Sequence, residues 1–307
     1  MKINSNNEWS QLKSVVVGSA TNANWPTNDP VFAEESRKTT WTETPVPSGP
    51  VPQHIVDKAN EELDILSDTL TKLKVNVVRP KDLDFPKLDG MYNYCPRDRL
   101  IIAGSTVIDP AMMYPCRDKE LVALDFVLDA AEHILTMPRD QGMIMDAANV
   151  CRLGNTWLYL ESPSGNRKAY NWLCESLPNI NIELCNFYSG VHIDSTITPL
   201  REGFVVLNAS RVNVQNCPKA FDGWEKLWVH DVVAQDFYQY PYASKWVGMN
   251  MLSVNSDTVI CDKNQTEIIT ILEQQHFNVI PLELSHARTL GGGFHCVTLD
   301  LWREDNA

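Results

Sequence analysis

Leu290-Gly291-Gly292-Gly293-Phe294-His295-Cys296, followed by Val297, Leu299 and Leu301 at alternate positions, is the stretch on which the reading of this chain turns. The alternation predicts a strand, because successive side chains of extended backbone point to opposite faces. Three consecutive glycines ahead of it let the backbone approach another group closely, since no β-carbon stands in the way. A thiol at the end of such a turn is held out for chemistry rather than used to fill a core. Cys296 is therefore the candidate nucleophile.

A second element lies upstream, at Val191-His192-Ile193-Asp194. On an extended strand His192 and Asp194 would share one face and Ile193 would point into the core. That places a proton-transfer group beside an anion. Asp146 interrupts the apolar run Met143-Ile144-Met145-Asp146-Ala147-Ala148. A buried carboxylate must be paired, and a histidine is a natural partner that would stay cationic beside it. Asp98, in Cys95-Pro96-Arg97-Asp98-Arg99, reads equally as a surface residue paired with a neighbouring arginine. A free thiol has a pKa of about 8.5, so a reactive Cys296 needs a nearby base or cation. His192 and His295 are both available.

Around these residues the chain alternates strands and helices. Val15-Val16-Val17-Gly18 reads as a buried strand. Apolar residues Ile55, Ala59, Leu63, Leu66, Leu70 and Leu73 recur at helical spacing over 54–74. Further strands are expected at 75–78, 100–103, 106–108, 144–150, 156–160, 182–185, 204–208, 249–254, 258–261 and 279–284. Helices are expected at 119–135, 166–177 and 265–276. Strand pairs next to single helices indicate repeated α/β units with mixed sheets. Residues 21–52, rich in Pro, Thr, Asn and Ser, read as a long loop or lid rather than a core element. No linker divides the chain, so a single domain over 1–307 is expected.

Composition narrows the class. With 307 residues, 44% of them hydrophobic, a large core is available. The formal charge of −13 argues against nucleic acid and anionic membrane as partners. Eight cysteines are scattered without CxxC spacing, so neither a disulfide framework nor a zinc site is legible. The first ten residues hold no apolar signal core, and a cytosolic enzyme is expected. No glycine-rich nucleotide motif is present.

Taken in order, Trp9-Ser10 with Val15-Val16-Val17-Gly18, Pro96-Arg97-Asp98, Met145-Asp146-Ala147-Ala148, His192-Ile193-Asp194, Ser244-Lys245-Trp246 with Met249-Asn250, and Leu290 to Cys296 are similar to the arginine amidinotransferases, within the guanidino-group-modifying superfamily. The resemblance runs almost end to end. It implies a five-bladed α/β propeller of ββαβ-type units around a central polar channel.

The resemblance also implies roles. Cys296 would be the nucleophile, His192 the general acid/base and Asp146 the carboxylate supporting it. Asp98 and Asp194 would grip the substrate guanidinium, Arg211 would hold the donor's α-carboxylate, and Ser244 would line the pocket. The implied substrates are L-arginine and an amine acceptor, with no metal or organic cofactor, and family members are often homodimers. Tyr188-Ser189-Gly190-Val191, Ala243 and Asn149 depart from the glycine-using members, so glycine is not assumed as acceptor. Two alternatives stand beside transfer: a hydrolase of the same superfamily, such as an arginine deiminase or dihydrolase, and a non-catalytic binding propeller.

Overall fold

Val15, Val16 and Val17, all fully buried, end strand β1 (Gln11–Val17), and the chain repeats one supersecondary unit from there. The structure is a computed structural model that describes residues 1–38, 46–188 and 190–304. After β1 come β2 (Asn24–Trp25), α1 (Pro30–Lys38), β3 (Gly49–Pro50), α2 (Gln53–Lys72), β4 (Asn76–Val78) and α3 (Phe85–Leu88). The second unit holds β5 (Ile101–Ala103), β6 (Thr106–Asp109), α4 (Asp125–Asp129) and β7 (His133–Thr136). The third holds β8 (Val150–Leu153), β9 (Thr156–Leu160), α5 (Arg167–Ser176) and β10 (Asn181–Cys185). The fourth is β11 (Ile197–Arg201), β12 (Phe204–Asn208) and β13 (Glu225–Val229), and the fifth is β14 (Leu252–Asn255), β15 (Thr258–Asp262), α6 (Thr266–Gln274) and β16 (Asn278–Leu282). Helix α7 (Ala287–Leu290) and β17 (Thr298–Glu304) close the order.

Each unit makes a three-stranded sheet of one kind: an antiparallel pair, then a crossover to a third strand parallel to the second. The first unit is split in sequence. Its opening strand is β17, which pairs antiparallel with β1, while β4 pairs parallel with β1 after the α2 crossover. The two ends of the chain thus close the ring of five blades, an α/β propeller.

The amphipathic period of α2 decides its orientation. Ile55, Ala59, Leu63, Leu66 and Leu70 are buried against the core shared with β1, while the opposite face is charged. Truncating Leu63 to alanine would cost about 2–5 kcal/mol through lost burial and the cavity left behind.

Where blades meet, the interior is ionic. Arg152 of β8 grips Glu8 through Nε at 3.0 Å and Nη2 at 3.0 Å, and reaches Asp300 of β17 at 3.0 Å. Arg97 lies 2.6 Å from the other oxygen of Asp300, and Arg303 lies 2.7 Å from Asp300 Oδ2. Removing one partner would strand a buried charge, so these pairs lock blades in register.

Several expectations need correction. The strand expected at 144–150 is instead an extended approach to a short 3-10 turn, Ala147–Asn149, with β8 starting at Val150. Asp146 Oδ1 accepts the Met113 backbone N–H at 2.8 Å, and Asn149 Nδ2 donates to the Leu160 carbonyl at 2.8 Å. Those side-chain bonds compete with ladder pairing. The helix expected at 119–135 breaks into a 3-10 segment, Pro115–Leu124, the short α4, and strand β7. Parallel pairing with β6 overrides local helix preference there. The start of the strand expected at 249–254 is likewise a 3-10 turn, Lys245–Met249.

The lid expected at 21–52 is partly core, its residues 39–45 lying outside the described set. Trp25 and Phe32 are buried, and Phe32 packs on Tyr114 and Tyr242 with ring centroids 5.4 and 5.7 Å apart. Strands β11 and β13 had no sequence expectation. Among the described residues, no helix is long and apolar enough to cross a membrane.

Candidate active site

Five segments, each leading into the first strand of a blade, bring the polar residues together. Asp98 ends a 3-10 turn, Pro96–Asp98, ahead of β5, and Asp146 caps the turn ahead of β8. His192 and Asp194 sit in the turn ahead of β11. Ser244 caps the Lys245–Met249 turn ahead of β14, and Cys296 precedes β17.

The Cys296 thiol is 4% exposed and donates to Asp194 Oδ2 at 3.1 Å. Its backbone N–H donates to Asn250 Oδ1 at 3.0 Å, which fixes where the sulfur points. A second thiol, Cys95, stands beside it, both sulfurs lying around Gly292. The glycines make room for this pair: a β-carbon on Gly292 would lie 2.4 Å from Cys95 Sγ and 2.7 Å from Cys296 Cβ. Gly291 adopts φ +88°, the left-handed region that favours glycine. The neighbouring Cys95 thiol, burial, and then the Asp194 carboxylate push the Cys296 thiol well above its usual pKa.

His192 is braced by two carboxylates. Its Nε2 lies 3.0 Å from Asp146 Oδ2 and its Nδ1 lies 3.7 Å from Asp98 Oδ1. Burial opposes the charged ring, but Asp98 and then Asp146 outweigh it and push the pKa up to about 9. The expected strand at 192–194 is absent. His192 takes φ +61°, unusual for a residue with a β-carbon, and the Tyr188 hydroxyl donates to its carbonyl. Ile193 is fully buried, while both polar neighbours face the site.

Asp98 is 2% exposed, so the surface reading of that residue fails. Arg117 donates to its Oδ2 at 2.8 Å and is itself held by Glu120 at 2.9 and 3.0 Å. Oδ1 of Asp98 is buried and has no hydrogen-bond partner among the described residues. Asp194 is pulled down to about 2, burial being outweighed by the His295 hydrogen bond and charge.

A cavity of about 350 Å³ opens on this cluster, lined by Cys296, His192, Asp194, Arg211 and Ser244. Asp98 and Asp146 do not line it; both stand against His192, one layer deeper. Arg211 donates to Thr196 at 2.8 Å and Ser195 at 3.2 Å, and its guanidinium stacks over Tyr188 at 4.1 Å. No carboxylate among the described residues pairs with it, and burial lowers its pKa. Ser244 Oγ accepts the Trp246 N–H at 3.3 Å. Glu35 and Ser36 of α1 form part of the far wall, anchored where Tyr240 donates to the Ser36 carbonyl at 2.8 Å.

Cys95, Arg117, Asn250 and Glu8 carried no functional expectation, and helix α1 lies within the stretch expected as a loop or lid. Only Asn250 left a signal, as part of the Met249-Asn250 motif. The other contacts join residues too far apart in sequence to be read locally.

No protein-family model matches the chain. It is similar to inosamine-phosphate amidinotransferase 1 of Streptomyces griseus, 38% identical over 332 residues that cover 97% of this chain and 96% of the relative. It is also similar to the L-arginine:L-lysine amidinotransferase of Pseudomonas savastanoi pv. phaseolicola, 26% identical over 295 residues, covering 83% and 81%. Among solved structures, the inosamine-phosphate amidinotransferase from Streptomyces griseus matches with a TM-score of 0.92 at 36% identity, covering 99% of this chain and 97% of that one. DDAH from Pseudomonas aeruginosa, 13% identical with a TM-score of 0.68 over 94% and 99% of the two chains, shares the fold.

Proposed function

The chain belongs to the amidinotransferase family, and from that premise we propose that it takes the amidino group of L-arginine onto Cys296 and passes it to a primary amine, releasing L-ornithine. A guanidinium is planar, permanently charged and resonance-stabilised, so it needs carboxylates to hold it and a strong nucleophile to open it. Asp194 on the cavity wall supplies one carboxylate. Asp98, buried behind His192 with Oδ1 3.7 Å from the ring's Nδ1, adds a second negative charge beneath the site that favours a bound cation. Arg211, with no carboxylate of its own, is suited to the donor's α-carboxylate, and Ser244 adds a wall hydroxyl.

The chemistry balances without a redox step. A bond forms between Cys296 sulfur and the guanidinium carbon, and the bond from that carbon to the side-chain nitrogen breaks. The thiol's proton ends on the departing amine. His192, cationic up to about pH 9, gives a second proton to that nitrogen, which leaves as an ammonium group, and the ring is left neutral. The bound cation offsets the cost of forming a thiolate among carboxylates. An incoming amine, deprotonated by His192, attacks the amidino-cysteine and carries the group away. Two half-reactions at one cysteine predict ping-pong kinetics.

One arrangement carries this reading: a thiol, a doubly braced histidine, an ionised aspartate and an unpaired arginine around a single cavity. The test is incubation with arginine alone. About one equivalent of ornithine per site, then a stall relieved by adding an amine, supports transfer. Sustained release of citrulline or ammonia would make it a hydrolase instead. An acceptor screen by mass spectrometry then identifies the amine.

A further inference from the structure

We propose that His295, gripped by Glu8, is a positioning residue for the nucleophile: it draws the charge of the Asp194 carboxylate away from the Cys296 sulfur, so that a thiolate can form beside it. This inference rests on Cys296 being the reactive thiol.

One oxygen connects the three residues. Asp194 Oδ2 lies 2.9 Å from His295 Nδ1 and 3.1 Å from Cys296 Sγ. The other ring nitrogen of His295, Nε2, lies 3.2 Å from Glu8 Oε2. A neutral imidazole carries one N–H, whereas an imidazolium carries two. With an ionised carboxylate against each nitrogen, only the imidazolium donates to both.

Glu8 is not a loose partner. Arg152 holds it through two contacts of 3.0 Å, and Arg97 approaches Oε2 at 3.5 Å. Those cations, together with His295, keep the Glu8 carboxyl well below its ordinary pKa despite burial. Burial and the nearby Arg97 oppose protonation of His295, yet Asp194 and Glu8 raise its pKa. The result is a fixed chain from Arg152 through Glu8, His295 and Asp194 to sulfur.

The need for such a chain follows from what faces Cys296. Asp194, Asp98 and the Cys95 thiol all disfavour its ionisation. Asp194 is also the residue suited to the substrate guanidinium, so it cannot simply be absent. Placing a cation on the same oxygen that meets the sulfur lets Asp194 remain ionised for substrate while repelling the thiolate less. His192 contributes as well, its charge likewise acting on Asp194.

The experiment measures alkylation of Cys296 by iodoacetamide across pH, without arginine, the labelled cysteine being identified by peptide mass spectrometry. His295→Asn keeps an N–H near the Nδ1 position but carries no charge and does not reach Glu8. Glu8→Gln keeps the shape and removes the anion that holds the imidazolium. In both variants the ionisation midpoint is expected to rise by about one pH unit, slowing alkylation about tenfold at a fixed pH below it. Profiles of folded variants that superimpose on the parent would overturn the proposal. Nitrogen NMR of the unaltered protein covers variants that fail to fold: both His295 ring nitrogens protonated at neutral pH is the expected result, and a neutral ring refutes it. Because the readout needs no turnover, its outcome is independent of whether arginine gives an ornithine burst.

Discussion

His192 Nε2 meets Asp146 Oδ2 at 3.0 Å, although 46 residues separate them in the chain. Asp98, at 3.7 Å from the other ring nitrogen, and this contact together keep the ring protonated at neutral pH. Asp146→Asn should therefore lower the His192 pKa from about 9 toward the ordinary value of about 6.5. The alkaline limb of the ornithine-releasing half-reaction should move down with it, and the rate should fall by about 10²–10⁴. A single-turnover pH profile checks this. An unmoved alkaline limb would show that His192 is not the acid.

His192 and Asp194 predict how stability depends on pH. The folded-state pKa of His192 is raised, so its contribution is complete below about 6.5 and disappears as pH rises through about 9. Asp194 is depressed to about 2, so its contribution is present above the ordinary aspartate value of about 3.9 and is lost as pH falls through about 2. Urea unfolding midpoints should drop between pH 6.5 and 9 by an amount equivalent to about 2 kcal/mol. His192→Gln should flatten that drop, and a drop of the same size in the variant would place its cause elsewhere.

Gly292 tests the packing around Cys296. An added β-carbon would meet Cys95 Sγ at 2.4 Å and Cys296 Cβ at 2.7 Å, and neither can yield without shifting the Cys296 side chain or the thiol beside it. Gly292→Ala should destabilise the protein by about 1–3 kcal/mol through overpacking and reduce turnover further than that loss explains. Thermal melting and ornithine release, measured on the same preparation, separate the two effects. Full activity in a normally folded variant would mean that the thiol pair has no such constraint.

How much of this was legible depended on how local each contact is. The strands 156–160 and 204–208 are short apolar runs bounded by turns, and they are found as read. The triple glycine marked Cys296 because its effect is confined to a few residues. The segment 144–150 misled because Asp146 and Asn149 bind backbone at Met113 and Leu160, which no periodicity reports. Helix α1 escaped because only Phe32 and Ser36 of its nine residues are buried. The His295–Glu8 contact spans 287 residues and exists only because β17 closes the ring next to the N-terminal segment. The α/β units showed as strand pairs beside single helices and the five-bladed ring as what the family resemblance implies, and that ring explains why one turn from each blade contributes to one site.

Arg211 offers the sharpest test of how the donor is held. Its guanidinium lies over Tyr188 and donates to two hydroxyls, with no carboxylate among the described residues competing for it. If it holds the α-carboxylate of arginine, its role ends where that carboxylate ends. Arg211→Met preserves much of the contact with Tyr188 and removes only the charge and donors. Catalytic efficiency with arginine should fall by an amount equivalent to about 1.5–3 kcal/mol, chiefly through KM. Agmatine, which has the guanidinium without the carboxylate, should be a poor donor for the parent and an equally poor one for the variant. Equal losses on both donors would mean that Arg211 supports the cavity wall rather than the substrate, and the donor's carboxylate would have to be held elsewhere.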